Sequence, residues 1–286
     1  MSAVVDPVDV LERIGVSAPY YALENVTSAG PGLVRASVPV QCPPGRQVSP
    51  IGLSEAGRHL AIAGLCAAAT AHPLRGRHYY LAREVVGRSV VPDSGCDEDA
   101  RWLRARAGAE FGSKRRARAH TELLHMDGTP LLEMHVEYDV LSERVFRRMF
   151  DVPEQRVPEQ RGRRGNPYTR LPEVEGLKAT GTNAVGSVRV GPEACRGHFE
   201  GFPAMPVAIT GGALVRLLDA IVTHDDPEGR WVFHTLRLAA DHLPPAGERI
   251  ELSARSQEVS GRRLARCEAV GGGHVATTME IGYTLA

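Results

Sequence analysis

Lysine is nearly absent from this chain. Of 34 basic residues among 286, only Lys114 and Lys178 are lysine, and the rest are arginine. Acidic residues also number 34, so the formal net charge is zero. The molecule as a whole therefore has no field that would draw a polyanion, and no nucleic-acid partner is expected. Arginine in place of lysine, with abundant alanine and glycine, reads as a GC-rich coding sequence rather than as phosphate binding. The five cysteines (Cys42, Cys66, Cys96, Cys195 and Cys267) form no C-x-x-C pair, which argues against a disulfide framework and a zinc site. No Walker loop, dinucleotide fingerprint or metal-spaced cluster occurs, so neither metal nor cofactor is expected. The apolar runs are broken by charge or glycine before reaching membrane length. The opening MSAVVDPVDVLERIG is acidic and too short of apolar residues for a signal peptide. The expectation is a soluble, cytoplasmic protein with no membrane partner.

The apolar fraction, 43%, is enough for packed cores. The chain divides at a polar, Pro- and Arg-rich stretch, DVPEQRVPEQRGRRGNPYTRLP, which repeats VPEQR and lacks apolar periodicity. This gives a first domain over 1–150, a linker over 151–172 and a second domain over 173–286. Both halves follow one plan. In the first, strand-like segments lead into a loop, CPPGRQVSP, then a helix-like run over 53–71, then long strands. Asp127-Gly128 predicts a hairpin between the last two of these. In the second, a strand-like segment leads into the loop GHFEGFPAMP, an apolar helix run over 207–222, and further strands. The closing segments MHVEYDVL and MEIGYTLA place Met134 and Tyr138 opposite Met279 and Tyr283 at the same spacing. The pattern is an internal duplication, too long in period for a solenoid.

GHFEGFPAMP carries the chemistry. His198 stands in a frame of two glycines and two prolines, immediately before a buried helix whose first N–H groups can polarise a carbonyl. The segment resembles the His-Phe-x-Gly-x-Pro-x-Met-Pro motif of the hot-dog-fold 3-hydroxyacyl-acyl-carrier-protein dehydratases. His198, Phe199, Gly201, Pro203, Met205 and Pro206 match in spacing. Three positions depart from it: Glu200 replaces a proline, Val207 replaces a glycine, and Gly212 stands where the family has its catalytic acid. The resemblance implies an α+β double hot dog, with two curved antiparallel sheets each wrapped around a central helix. It also implies that a site takes its histidine from one domain and its acid from the helix of the other.

The acid is therefore sought at the start of the first helix, SPIGLSEAGRHLAIAGLCAAATA, where Glu55, Arg58 and His59 cluster. Glu55 and His59, four residues apart, share a helix face. Three roles stand open: Glu55 as the acid, Glu55 in a structural pair with Arg58 or His59, or His59 as the acid or orienting group. The reciprocal site has neither partner, since CPPGRQVSP lacks a histidine and the second helix has Gly211-Gly212. The resemblance implies dehydration of a 3-hydroxyacyl thioester in polyketide or fatty-acid-type biosynthesis. His198 would be the base and Glu55 the acid. Gly201 and Val207 would hold the oxyanion, with Arg58 and His59 near the substrate. The partner would be an acyl thioester on phosphopantetheine, from an acyl carrier protein or CoA, and a homodimer is left open. Two other readings stand beside it: a hot-dog acyl thioesterase with Glu55 activating water, and a non-catalytic acyl-binding scaffold.

Overall fold

A computed structural model describes residues 7–74, 76–90, 100–150, 165–199 and 202–286. The first half runs α1 (Pro7–Arg13), β1 (Glu24–Gly30), β2 (Leu33–Pro39), α2 (Leu53–Ala71), β3 (His78–Ser89), β4 (Trp102–Ser113), β5 (Arg116–Leu124), β6 (Pro130–Ser142) and α3 (Glu143–Met149). The second runs β7 (Glu175–Thr180), β8 (Asn183–Arg189), α4 (Val207–Asp225), β9 (Trp231–Ala240), β10 (Arg249–Val259), β11 (Arg262–Gly271) and β12 (His274–Leu285).

The strands form one antiparallel sheet of 12 strands, in the order β1-β2-β4-β5-β6-β3-β9-β12-β11-β10-β8-β7. The expected pair of separate sheets is thus corrected. The ladder runs on across the middle, where Glu84–Arg88 of β3 pair with Ala239–Thr235 of β9. The duplication itself is plain in this order. From the central pair outward, each half repeats the same sequence of strands, with β9 matching β3 and β12 matching β6. Met134 and Tyr138 on β6 and Met279 and Tyr283 on β12 are all buried.

Each long helix packs on the strands of its own half, and the two helices also touch each other. Alanine-rich α2 has high helix propensity. It stops at Ala71, one residue before the His72-Pro73 pair, because proline disfavours helical geometry in the residue ahead of it. Its one tight approach to the sheet is Gly64, where a Cβ would lie 2.5 Å from the Tyr138 hydroxyl. That hydroxyl donates to the Ala61 carbonyl at 2.7 Å and ties β6 to α2. The window Val207–His224 of α4 is long and apolar enough to cross a membrane by composition, contrary to the reading of the apolar runs. Here it is a core helix, packed against β7, β8 and β10–β12.

One local expectation changes, and two features are new. The stretch read as a linker is described only from 165 onward, and there it packs against the body. Tyr168 is buried and donates its hydroxyl to the Arg196 carbonyl at 3.0 Å. The VPEQR repeat lies outside the described residues. Arg116 and Arg118 sit on an interior strand and pair across it with Asp139 (3.8 Å) and Glu137 (2.9 Å). Helix α3 was not anticipated. Its Phe146 stacks on Tyr79 with ring centroids 3.8 Å apart, and it meets Phe199 at 5.3 Å. Tyr79, Phe146, Phe150, Phe199 and Phe202 form an aromatic bed under the loop before α4.

Candidate active site

The loop before α4 is pinned to the N-terminal segment by backbone hydrogen bonds. Ser17 N–H donates to the Gly197 carbonyl at 2.8 Å, and Phe199 N–H donates to the Gly15 carbonyl at 3.1 Å. The approach is so close that a Cβ at Gly197 would lie 2.3 Å from the Ser17 carbonyl oxygen, and its φ of +84° also favours glycine. Farther along, Met205 N–H donates to the Pro244 carbonyl at 2.8 Å. Between these anchors the His198 ring packs against Phe199 and Tyr20, at 4.0 and 4.8 Å between centroids.

The orientation of the imidazole fixes its tautomer. His198 Nδ1 lies 3.2 Å from the Ala204 carbonyl oxygen. That oxygen can only accept, so Nδ1 carries the hydrogen and Nε2 keeps its lone pair. Burial pushes the His198 pKa down to about 4, with the Ala204 bond opposing the shift. At neutral pH the ring is an uncharged acceptor.

His198 lines a cavity of about 440 Å³ between the two long helices and the central strands. The walls are mostly apolar, including Ile62, Leu65, Val85, Met134, Leu238 and Met279. Val207 and Ala208, in the first turn of α4, also line it, as do Tyr20, Ser54 and Arg58. In that turn the N–H groups of Ile209 and Thr210 donate to the Pro206 carbonyl, at 2.9 and 3.2 Å, which leaves those of Val207 and Ala208 to receive a developing oxyanion. Tyr80 lines the cavity too, whereas its neighbour Tyr79 serves the aromatic bed. Gly201 lies outside the described residues.

Glu55 does not share this cavity. It lines a second one of about 300 Å³, with Tyr168, Leu171 and Arg189; Ser54, Arg58 and Ala208 stand in both walls. Its carboxylate accepts from the backbone N–H of Gln41 at 2.7 Å and of Cys42 at 3.1 Å. Arg58 Nη2 lies 3.8 Å from Glu55 Oε1, and His59 Nε2 lies 3.4 Å from it. Of the three roles left open, the geometry is that of a structural cluster. His59 is wholly buried, lines neither cavity, and is held neutral by burial, which lowers its pKa. The structure brings His198, Val207 and Arg58 together and leaves Glu55 and His59 behind Arg58.

Helix register explains the misplacement. Gly212 is the sixth residue of α4, and the sixth residue of α2 is Arg58. The two helices start differently after their loops: α4 begins directly after Pro206, whereas α2 begins after Gly52, two residues beyond Pro50. The position to which the resemblance assigns an acid is held by a guanidinium. Arg58 is 3% exposed, donates through Nη2 to Gln41 Oε1, and lies over the Tyr168 ring at 4.8 Å. Tyr20 and Tyr168 carry no motif and could not be found from the sequence. Asp219 on α4 is buried, accepts from Trp231 Nε1 at 2.9 Å, and is pushed up to about 6 by burial. Among the described residues no group of His, Cys, Asp and Glu forms a metal-ligand cluster.

By sequence, no family model and no curated protein matches the chain. Its structure is similar to that of a putative oleoyl thioesterase from Lactobacillus plantarum, at 12% identity and a TM-score of 0.56 over 88% of this chain and 95% of that one. It is similar to the 12:0-ACP thioesterase of Umbellularia californica at 9% identity and a TM-score of 0.58, over 89% of this chain and 94% of that one. It is also similar to an acyl-ACP thioesterase from Bacteroides thetaiotaomicron at 10% identity and a TM-score of 0.54, covering 88% and 98%. At these identities the likeness shows the fold alone, a hot-dog fold.

Two expectations follow. In an NMR titration the His198 ring remains the neutral Nδ1–H tautomer from pH 7 down to a midpoint near 4. A midpoint at 6.5, the ordinary histidine value, would show that the ring is not desolvated as described. Replacing Glu55 with Gln removes charge-assisted bonds to two backbone N–H groups. Urea unfolding then shows a loss of about 1–3 kcal/mol. A variant as stable as the parent would mean that the carboxylate does not hold residues 41–42.

Proposed function

We propose that the protein hydrolyses an acyl thioester carried on phosphopantetheine, with His198 as general base. The observation that carries this reading is the pairing of a neutral, acceptor-ready histidine with a helix N-terminus at the head of an apolar cavity. His198 Nε2 takes a proton from a water molecule as the oxygen attacks the thioester carbonyl. The tetrahedral oxyanion lies against the first-turn N–H groups of α4, where the helix dipole favours negative charge. The C–S bond breaks, the thiolate that has left takes the proton back from the imidazolium, and a carboxylic acid and a free thiol are released. Burial that depresses the histidine pKa is offset during the reaction by the adjacent oxyanion, which stabilises the imidazolium.

The same observations weigh against dehydration. Expelling a hydroxyl from C3 needs a proton donor, because hydroxide leaves poorly. A thiolate is the conjugate base of a thiol with a pKa near about 8.5 and leaves without such help. Among the described residues lining the His198 cavity, the carboxylates are Asp139 and Asp241. Both are engaged by Arg83, at 3.4 and 3.6 Å. Glu55 lies in the other cavity with its oxygens already accepting. The names of the three structures compared above, each a thioesterase, support hydrolysis as well, and two of them name acyl-ACP substrates. The dehydratase-like loop then supplies the base alone.

The test is thiol release from acyl-pantetheine and acyl-carrier-protein thioesters. The parent chain liberates free thiol, and His198→Ala lowers kcat/KM by roughly 10²–10⁴-fold with its thermal unfolding unchanged. Formation of an enoyl thioester with the C–S bond intact would make the protein a dehydratase. Near-full turnover by a folded His198→Ala protein would remove the histidine from the mechanism.

A further inference from the structure

The hydroxyl of Tyr20 is a polar group of the His198 cavity that the hydrolysis described above does not use. Tyr20 lines that cavity and is 8% exposed. Its backbone lies against the His198 loop: a Cβ at Gly197 would stand 2.8 Å from the Tyr20 nitrogen. Next to it, Tyr21 N–H donates to the Ser17 carbonyl at 2.9 Å. The Tyr20 ring packs edge-on against His198 at 4.8 Å and against Tyr168 at 5.3 Å between centroids. These ring contacts leave the hydroxyl unused. Among the described residues it has no hydrogen-bond partner, and unlike Arg58 Nε and Nη1 it is not sealed within protein. A group that enters the cavity can therefore satisfy it.

Burial pushes the Tyr20 pKa up to about 12, with the charge of Arg58 opposing the shift. At neutral pH the hydroxyl keeps its proton and offers a donor. The other tyrosines of the cavity are placed differently. Tyr138 spends its hydroxyl on the Ala61 carbonyl at 2.7 Å, and the Tyr80 ring meets Tyr138, at 6.3 Å, rather than His198. Among the described residues, Tyr20 is the hydroxyl-bearing side chain in ring contact with the base. The chemistry leaves room for one more donor. A tetrahedral oxyanion has three lone pairs, and the first turn of α4 offers it two N–H groups, those of Val207 and Ala208.

We propose that Tyr20 is a second catalytic residue of this site, its hydroxyl donating a hydrogen bond to the thioester oxygen as that oxygen becomes the oxyanion. This rests on the acyl-thioester reading of the cavity and adds a residue to it. The phenol keeps its proton throughout, so proton transfer stays among water, His198 and the thiolate. A carbonyl oxygen accepts weakly and an oxyanion strongly, so the bond favours the transition state over the bound substrate. Its effect falls on kcat rather than on KM.

Tyr20→Phe isolates the hydroxyl, because it keeps the ring that packs on His198 and Tyr168. With octanoyl-pantetheine thioester its kcat falls roughly 10²–10³-fold. KM, thermal unfolding and the His198 titration midpoint near 4 stay as in the parent chain. A ring that served only to keep water from His198 would leave kcat unchanged in this variant, and that result overturns the proposal. A lower kcat with a displaced His198 midpoint also overturns it, making Tyr20 a positioning residue for the imidazole. A second measurement needs no turnover: carbon-13 NMR of the chain labelled at tyrosine Cζ, with amide-linked octanoyl-pantetheine added to saturation. The resonance that Tyr20→Phe lacks moves when the amide binds; one that stays in place with the amide bound overturns the assignment. A parent chain that releases no thiol while this resonance moves supports the contact and sinks the hydrolase reading instead. A chain that does not bind the amide sinks the acyl-thioester reading and the proposal with it.

Discussion

The backbone ladder between β3 and β9 is the contact on which the rest depends. It runs only from Glu84 to Arg88 on one strand and from Ala239 back to Thr235 on the other. Because side chains alternate along paired strands, this register sends Val85 and Leu238 to the same inner face, under the two long helices. The ladder turns two half-sheets into one and brings α2 and α4 into contact. The cavity lies where those helices and the seam strands meet, so it belongs to neither half alone. One half contributes His198 and the first turn of α4, and the other contributes Arg58, Ile62 and Leu65. A shift of one residue at the seam would turn the inner-face side chains outward and unmake the pocket.

Within that frame, a second constraint sets the chemistry. The His198 loop is fastened at Gly15–Ser17, at Ala204 and at Pro244, with an aromatic bed beneath it. Fixing the ring this way removes rotamer freedom in advance and holds Nε2 as an acceptor. The same burial that makes the position rigid also makes the imidazolium unfavourable in the resting protein. In the proposed hydrolysis the ring acts as a base only toward a partner that brings negative charge, as a thioester oxyanion would. On the opposite wall, Glu55 and Arg58 hold the 41–42 loop through the Gln41 and Cys42 N–H groups and the Gln41 side chain.

Much of this was legible in the sequence, for identifiable reasons. Helix α2 follows the expected run from Leu53 to Ala71, since an apolar alanine-rich stretch bounded by Gly52 and Pro73 has few other conformations available. The hairpin at Asp127-Gly128 forms with Gly128 at a φ of +97° and the Asp127 side chain accepting from Thr129 N–H. The duplicated plan was visible because buried Met and Tyr recur at one spacing on β6 and β12. The union of the two sheets was not, because strand-edge pairing between halves leaves no periodic mark on either strand. Nor was the partner of His198 legible. Glu55 and Arg58 are three residues apart on one helix turn, and which of them faces the cavity depends on where the helix starts. A loop sequence does not fix that to one residue. Tyr168 was hidden for another reason: it sits in a segment whose composition reads as linker, and only its packing on Tyr20 and Arg58 gives it a role.

The account stands on the thioester reacting in the His198 cavity and not in the smaller one beside Glu55. A crystal structure of the chain with an amide-linked acyl-pantetheine tests that directly. The account predicts the acyl chain among Val85, Met134 and Met279, with the amide carbonyl carbon facing His198 Nε2 and its oxygen toward the first turn of α4. An acyl chain seated against Tyr168 and Leu171, with its carbonyl beside the Glu55 carboxylate, would contradict it.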